Sequence, residues 1–242
     1  MKEKSFILNI YCDGTDIVFK NTTEEEFNNI WYNYFDFGRN YNDIKKKISE
    51  NDEILQKAVE YAPGIRILNQ DRFECLISFI ISQNNRIPMI KKVISNISKK
   101  YGRYIGSVDG EEYYAFPNPE ELIKADEAGL MECKTGFRAK YIIDAVQKVI
   151  HGEINLNADD MDTETLRKML MTIKGVGPKV ADCTMMFSFG RCETFPTDVW
   201  VKRIMSELYF NGREASVKEI HQKAEECFGD YAGYAQQYLF NY

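Results

Sequence analysis

The sequence predicts a mainly α-helical protein with a small β portion at its N-terminus. Apolar residues recur at three- and four-residue spacing in successive segments from Phe27 onward, the period of helices with one buried face. β-rich runs are confined to residues 5–20, where they flank Asp13-Gly14, a hairpin signal. A helical run over 163–172, a glycine break and a proline-led helix then read as a helix-hairpin-helix.

Ser5 to Cys12 and Asp16 to Phe19 read as strands; two strands alone are marginal, so they should join a small sheet or pack on helices. Thr23, with Glu26 three residues on, forms a capping box. Phe27, Ile30, Trp31 and Tyr34 follow at helical spacing as core aromatics. Short helices are expected near Tyr41–Glu50 and Asn51–Tyr61. Arg72 to Ser82 is apolar nearly all round, the mark of a central helix, and ends at Gln83-Asn84-Asn85-Arg86. Ile87-Pro88 opens an amphipathic helix with Ile90, Val93, Ile94 and Ile97 inside and Lys91, Lys92, Lys99 and Lys100 in solvent. Tyr101 to Pro119 reads as irregular, broken by Asp109-Gly110 and two prolines, and a short helix spans Pro119–Ala125. Gly136-Phe137-Arg138-Ala139-Lys140-Tyr141 opens a helix reaching Ile150, with Tyr141, Ile142, Ala145, Val146 and Val149 on its inner stripe. By themselves, Phe137 and Arg138 are an ordinary first turn. Helices over Val199–Phe210, Ser216–Phe228 and Gly229–Tyr242 complete the chain.

The stretch from Met171 to Arg203 carries the chemistry. Gly175-Val176-Gly177 lets the backbone turn sharply and bring N–H groups close to something outside. Pro178 suits the first turn of the next helix. Such a hairpin suits a phosphate, because backbone donors and a positive dipole end point the same way. Lys179 sits in that first turn, where the dipole disfavours an ammonium and favours the nucleophilic amine. Pro196-Thr197-Asp198 stands before a third helix. Taken singly, Gly-Val-Gly-Pro is a turn, the lysine is solvated and Asp198 is an N-cap. Together they point to chemistry on DNA rather than binding alone.

Composition sets bounds. The 242 residues suffice for one large or two modest domains with a real core. No apolar run approaches the ~20 residues of a membrane span, and no signal-peptide stretch opens the sequence. Six cysteines form no C-x-x-C pair and, with two histidines, no zinc spacing. They read as reduced thiols in a cytoplasmic protein. The net charge of −6 counts against a non-specific DNA coat. Between Lys174 and Arg203, however, five basic residues face three acidic ones, and binding through backbone donors needs only a local patch.

The hairpin, the lysine and the following Pro-x-Asp resemble the helix-hairpin-helix–Gly/Pro–Asp superfamily of base-excision DNA glycosylases. Within it, Gly175-Val176-Gly177-x-Lys179-Val180-Ala181-Asp182-Cys183 is similar to the 8-oxoguanine DNA glycosylase/AP lyase family. Glu74-Cys75-Leu76-x-Ser78-Phe79-Ile80-x-Ser82-x-Asn84-Asn85 matches it again. The resemblance runs from about Gly64 to Phe240. It implies a helix-hairpin-helix DNA glycosylase fold over 46–242 and a remnant of an α+β domain over 1–45.

It also implies roles. Lys179 would be the Schiff-base nucleophile and Asp198 its catalytic carboxylate. Gln236 would bond the flipped base on its Watson–Crick edge, Phe240 would stack on one face, and Cys183 would cover the other. Gly175, Val176 and Gly177 would hold the backbone beside the lesion. Asn84 would fill the gap, Phe137 would wedge into the duplex and Arg138 would read the base left behind. Carbonyls of Met171, Ile173 and Val176 would hold a structural monovalent cation, with no cofactor otherwise required. Two positions depart from the family. Met89 stands where many members place a second arginine on the orphaned cytosine, and Trp200 where a phosphate-contacting histidine is common. The sequence from Met1 to its first strand also holds no Gly-x-Ser/Cys-Phe-x-Trp segment, whose carbonyl in relatives reads the lesion's N7 proton. The expected partner is double-stranded DNA with oxidised guanine or abasic sites. The protein is expected to act as a monomer, away from membranes, on nucleoid DNA in a prokaryote-like cytoplasm. The rival readings are a non-catalytic helix-hairpin-helix DNA-binding protein and a glycosylase for another damaged base. Lys179 and Asp198 argue against the first, and the lysine against the second.

Overall fold

The computed structural model describes residues 6–242; Ser5, expected to begin the first strand, and the residues before it lie outside that range. The chain begins with β1 (Asn9–Asp13), β2 (Asp16–Lys20) and a helical run α1 (24–34). It continues with α2 (Tyr41–Ser49), α3 (Glu53–Tyr61), α4 (Arg72–Ser82) and α5 (Ile87–Tyr101). Next come β3 (Tyr104–Val108), β4 (Glu111–Tyr114), α6 (Pro119–Leu122), α7 (Glu127–Glu132) and α8 (Ala139–Ile150). The last elements are α9 (Thr163–Leu170), α10 (Pro178–Ser188), α11 (Val199–Tyr209), α12 (Val217–Phe228) and α13 (Ala232–Asn241). The mainly helical class with a small N-terminal β portion is as expected.

Packing forms two compact units that interleave along the sequence. The first comprises 6–33, Leu76–Leu156 and Ile173–Gly175; the second comprises Tyr34–Cys75, Asn157–Thr172 and Val176–Tyr242.

In the first unit, β1 and β2 pair antiparallel with Ile10 opposite Phe19. The capping box of α1 is present, Thr23 Oγ1 accepting from the Glu26 amide at 3.1 Å. Its middle, Phe27–Trp31, winds at π spacing, which the aromatic periodicity did not announce. The stretch from Tyr101 to Pro119 is not irregular. It holds a second antiparallel hairpin, β3 with β4, around Asp109 and Gly110, both at positive φ (52° and 84°). That is the backbone a two-residue hairpin turn demands, so Asp-Gly marks a turn here as it does at Asp13-Gly14. A shift in register between Tyr104 and Gly106 broke the alternation that would have revealed the strand. Helix α7, capped by Asp126, is a further element the sequence reading lacked. Leu76, Ile77, Ile80 and Ile81 of α4 are buried, as are Ile142, Ala145 and Val146 of α8, in line with their spacing.

The second unit has its core among α2, α3 and the C-terminal helices. Ile44 and Ile48 meet Leu55, Met205, Ile220, Ala224, Tyr238 and Leu239 there. Tyr41 joins this core with a purpose: its ring packs edge-on to Tyr234 at 5.7 Å and lies under the Arg66 guanidinium at 4.4 Å. The core fixes α10, α11 and α13, the three helices that carry the residues expected to act.

Candidate active site

Helix α9 ends where its last turn tightens, with Met171 N–H donating to Arg167 O at 2.9 Å and Thr172 N–H to Met169 O at 3.1 Å. The chain then reverses through Gly175, at φ +76°. A Cβ there would lie 2.4 Å from the Tyr141 ring, so glycine is required by contact as well as by backbone. The Lys174 amide donates to Asp144 Oδ2 at 2.8 Å, and the Lys148 ammonium lies 3.3 Å from the same oxygen. Burial pushes the Asp144 carboxyl up, but these donors outweigh it and hold the group below its ordinary value. Ile173 and Val176 are buried and Met171 is exposed. Pro178 begins α10, and Gly177 before it supplies no capping side chain. The N-terminus of this helix is therefore open to an external acceptor.

Lys179 and Cys183 stand one turn apart on α10, hence on one face. Their side chains are hydrogen bonded. Cys183 is 5% exposed; burial pushes its thiol up to about 11 against the pull of Lys179, while Asp198 adds a smaller push. Amine and carboxylate thus both act on the Cys183 thiol. Asp198 is the N-cap of α11, its Oδ1 accepting from the Val201 amide at 2.8 Å. Oδ2 has no hydrogen-bond partner among the described residues. The cap thus engages one carboxylate oxygen and leaves the other available.

Gln236 and Phe240 are also one turn apart, on α13. Gln236 is buried, with Oε1 accepting from Gln237 Nε2 at 2.6 Å. Phe240 is half exposed, and Trp200 on the first turn of α11 is 52% exposed. A buried amide and an open ring on one helix face can read an edge and stack on a face.

In the first unit, Asn84 is exposed at φ +48°, just past the end of α4. Phe137 is 55% exposed, with its ring edge-on to Tyr141 at 5.9 Å. Met89 is exposed on α5. Arg138 is placed differently from the outward reader that the family resemblance implies: it is 7% exposed. Its Nε donates to Gln83 O at 2.8 Å, Nη2 to Asn84 O at 2.9 Å and Nη1 to Thr135 O at 3.2 Å. Its guanidinium lies 4.5 Å over the Phe137 ring, and burial lowers its basicity. The physical reason is the end of α4, whose last carbonyls need donors; a planar fork satisfies several at once.

Sequence reasoning missed the supports. Residue spacing puts Tyr141 on a core stripe and carries no signal for Asp144, Arg167 or His221. Arg167 Nε bonds Asp182 Oδ1 at 2.6 Å across two helices, a pairing with no local spacing to betray it. Among the described residues no cluster of His, Cys, Asp or Glu could hold a metal ion. Nor is any helix long and apolar enough to cross a membrane.

Fold and site together define a helix-hairpin-helix protein that sets an amine and a carboxylate beside an open helix N-terminus. The chain belongs to the HhH-GPD superfamily of base excision DNA repair proteins, whose family model matches residues 77–229. A model of the 8-oxoguanine DNA glycosylase N-terminal domain matches residues 2–76, further along the chain than the expected remnant over 1–45. A Saccharomyces cerevisiae N-glycosylase/DNA lyase is 36% identical over 74% of this chain and 56% of its own length. A probable N-glycosylase/DNA lyase of Methanothermobacter thermautotrophicus is 32% identical over 79% of this chain and 67% of its own. The chain therefore spans little more than half of the yeast relative. A Clostridium acetobutylicum 8-oxoguanine glycosylase/lyase, solved with double-stranded DNA bearing cytosine opposite 8-oxoguanine, is 47% identical with TM-score 0.92. That match covers 97% of this chain and 80% of the other.

Proposed function

We propose that this protein excises 8-oxoguanine from duplex DNA and then nicks the strand through a lysine Schiff base. The observation that carries the reading is the Lys179–Cys183–Asp198 group at the open end of α10. A base inside a duplex is out of reach, so it must be extruded at a cost of a few kcal/mol. Phe137, as an exposed wedge, and Asn84, as a filler, would offset part of that cost. The hairpin at Gly175, Val176 and Gly177 would grip the phosphate, and the exposed Trp200 on α11 would meet the backbone where relatives carry a histidine. Gln236 would bond the base edge while Phe240 and Cys183 cover its two faces.

The Lys179 amine attacks C1′ as the glycosidic bond breaks and the base leaves with its electron pair. Asp198 Oδ2 stabilises the oxocarbenium charge that develops at the sugar. The C1′–O4′ bond then opens, O4′ taking a proton as the C4′ hydroxyl, to give the Schiff base, and removal of the C2′ proton expels the 3′ phosphate. No organic or redox cofactor enters this scheme. Helix-end carbonyls are neutral oxygen donors suited to a hard cation, so Met171, Ile173 and Val176 would hold a monovalent ion that steadies the hairpin. The protein would work as a monomer on the nucleoid DNA of a prokaryote-like cytoplasm.

Borohydride added to a reaction on an 8-oxoguanine duplex tests the reading. A covalent protein–DNA adduct is expected. Lys179→Gln should abolish it while leaving duplex binding largely intact, and Asp198→Asn should slow base release. An undiminished adduct in Lys179→Gln removes that residue from the mechanism. Full activity in a folded Asp198→Asn variant leaves Asp198 only its cap, which contributes about 1 kcal/mol.

A further inference from the structure

His221 belongs to none of the groups above, yet it lies at the turn that delivers Asp198. Its Nε2 is 3.2 Å from Thr197 Oγ1. The single Thr197 hydroxyl proton is spent on Phe195 O, at 2.9 Å. Nε2 must therefore be the donor and Thr197 Oγ1 the acceptor, which fixes the Nε2–H tautomer. One helix thus grips the turn twice, because Phe228, two turns after His221 on α12, stacks on the Phe195 ring at 6.4 Å and 21°. Pro196 between the two contacts fixes φ, and Asp198 follows directly.

Charges on two other helices lie near enough to act on the imidazole. Asp182 of α10 attracts it and Arg167 of α9 repels it, and those two are paired with each other. Asp182 is three residues from Lys179 and adjacent to Cys183 on the same helix. The buried pair therefore connects the helix of the nucleophile to the turn of the carboxylate.

We infer that His221 is a positioning residue for Asp198, acting through Thr197. This rests on the glycosylase reading above. The imidazole acts through the turn, holding it so that Oδ1 caps α11 while Oδ2 faces the sugar. Both its neutral and its protonated forms can donate from Nε2, so the role is geometric rather than a switch.

The test uses the full chain and four variants. His221→Leu removes the donor and His221→Gln keeps an N–H near the same place; Thr197→Val removes the acceptor and Thr197→Ser keeps it. Single-turnover excision of 8-oxoguanine should fall roughly 10- to 100-fold in His221→Leu and Thr197→Val, the scale of a misplaced catalytic group. Duplex affinity should stay near the wild-type value. His221→Gln and Thr197→Ser should recover most of the rate. Nicking of a preformed abasic site should fall less than excision, since it builds no oxocarbenium charge. The inference is overturned if folded Thr197→Val excises at the wild-type rate, or if the conservative variants are as slow as the disruptive ones. Should His221→Leu fail to fold, the Thr197 pair decides alone. A Lys179-dependent adduct in the wild type separates the two levels: its absence sinks the glycosylase reading, and this inference with it. Its presence, with no effect of the four variants, sinks only the role of His221.

Discussion

The residues expected to perform the chemistry and those expected to distort the duplex are held in different ways. Lys179 and Cys183 share a face of α10, Gln236 and Phe240 share a face of α13, and Asp198 caps α11. Regular helices built into the core of the second unit set these positions. In the first unit the set expected to face the duplex depends on turns. Asn84 has φ +48° and Gly136, just before Phe137, has φ +60°. Arg138 ties Gln83, Asn84 and Thr135 together through their carbonyls. A catalytic amine must keep its geometry to a fraction of an ångström, and a helix locks that from local hydrogen bonds. A wedge has to project from the surface, so its support is a clamp behind an exposed ring.

The sharpest way to break the contrast is at the buried pair behind α10. Arg167→Leu leaves the Asp182 carboxylate, 1% exposed, without its partner. A loss of about 3–5 kcal/mol is expected at neutral pH, read from denaturant midpoints. The pH dependence has a definite sign. Burial already raises the Asp182 carboxyl above its ordinary value more than Arg167 lowers it. A group raised on folding favours the native state below its unfolded pKa, and that contribution is lost as pH rises through the folded value. Removal of Arg167 raises the group further, so the deficit of the variant should shrink on acidification into the carboxylate range. A deficit that grows instead would show that the carboxylate finds another cation.

A smaller effect is expected at the clamp. Arg138→Met strips donors from the carbonyls of Gln83 and Asn84 and should cost about 1–3 kcal/mol. Hydrogen exchange should quicken around residues 83–86. Phe137→Ala, at a 55% exposed ring, should change stability by no more than about 0.5 kcal/mol while impairing extrusion of the base, followed by a fluorescent base analogue beside the lesion. Equal losses in the two variants would contradict the division into clamp and wedge.

The smallest effect leaves stability alone. Met89 is exposed on α5 and cannot donate a hydrogen bond. With Arg138 engaged by carbonyls in the free protein, excision opposite bases other than cytosine should carry only a modest penalty. Met89→Arg should add roughly 1–3 kcal/mol of preference for cytosine, measured as the ratio of excision rates against the four opposite bases. Strong cytosine selectivity in the wild type, or no change in the variant, would show that the opposite base is read elsewhere.

Local chemistry was legible in the sequence wherever one element contains its own cause. The Gly-x-Gly-Pro turn, the Thr23–Glu26 capping box and the apolar α4 each arise within a few residues, and the fold class follows from their sum. The second hairpin at Asp109-Gly110 escaped because a register shift hid its alternation. Other features needed the folded chain. Arg138 meets Gln83 across 55 positions, Arg167 meets Asp182 across 15, and His221 meets Thr197 across 24. Such pairings leave no period and no spacing, because burial and helix packing choose the partner. By itself the sequence determined which groups are expected to act on DNA; only the tertiary structure decided which side chains are turned inward as supports, since a guanidinium or an imidazole serves whichever acceptor the packed backbone puts within its reach.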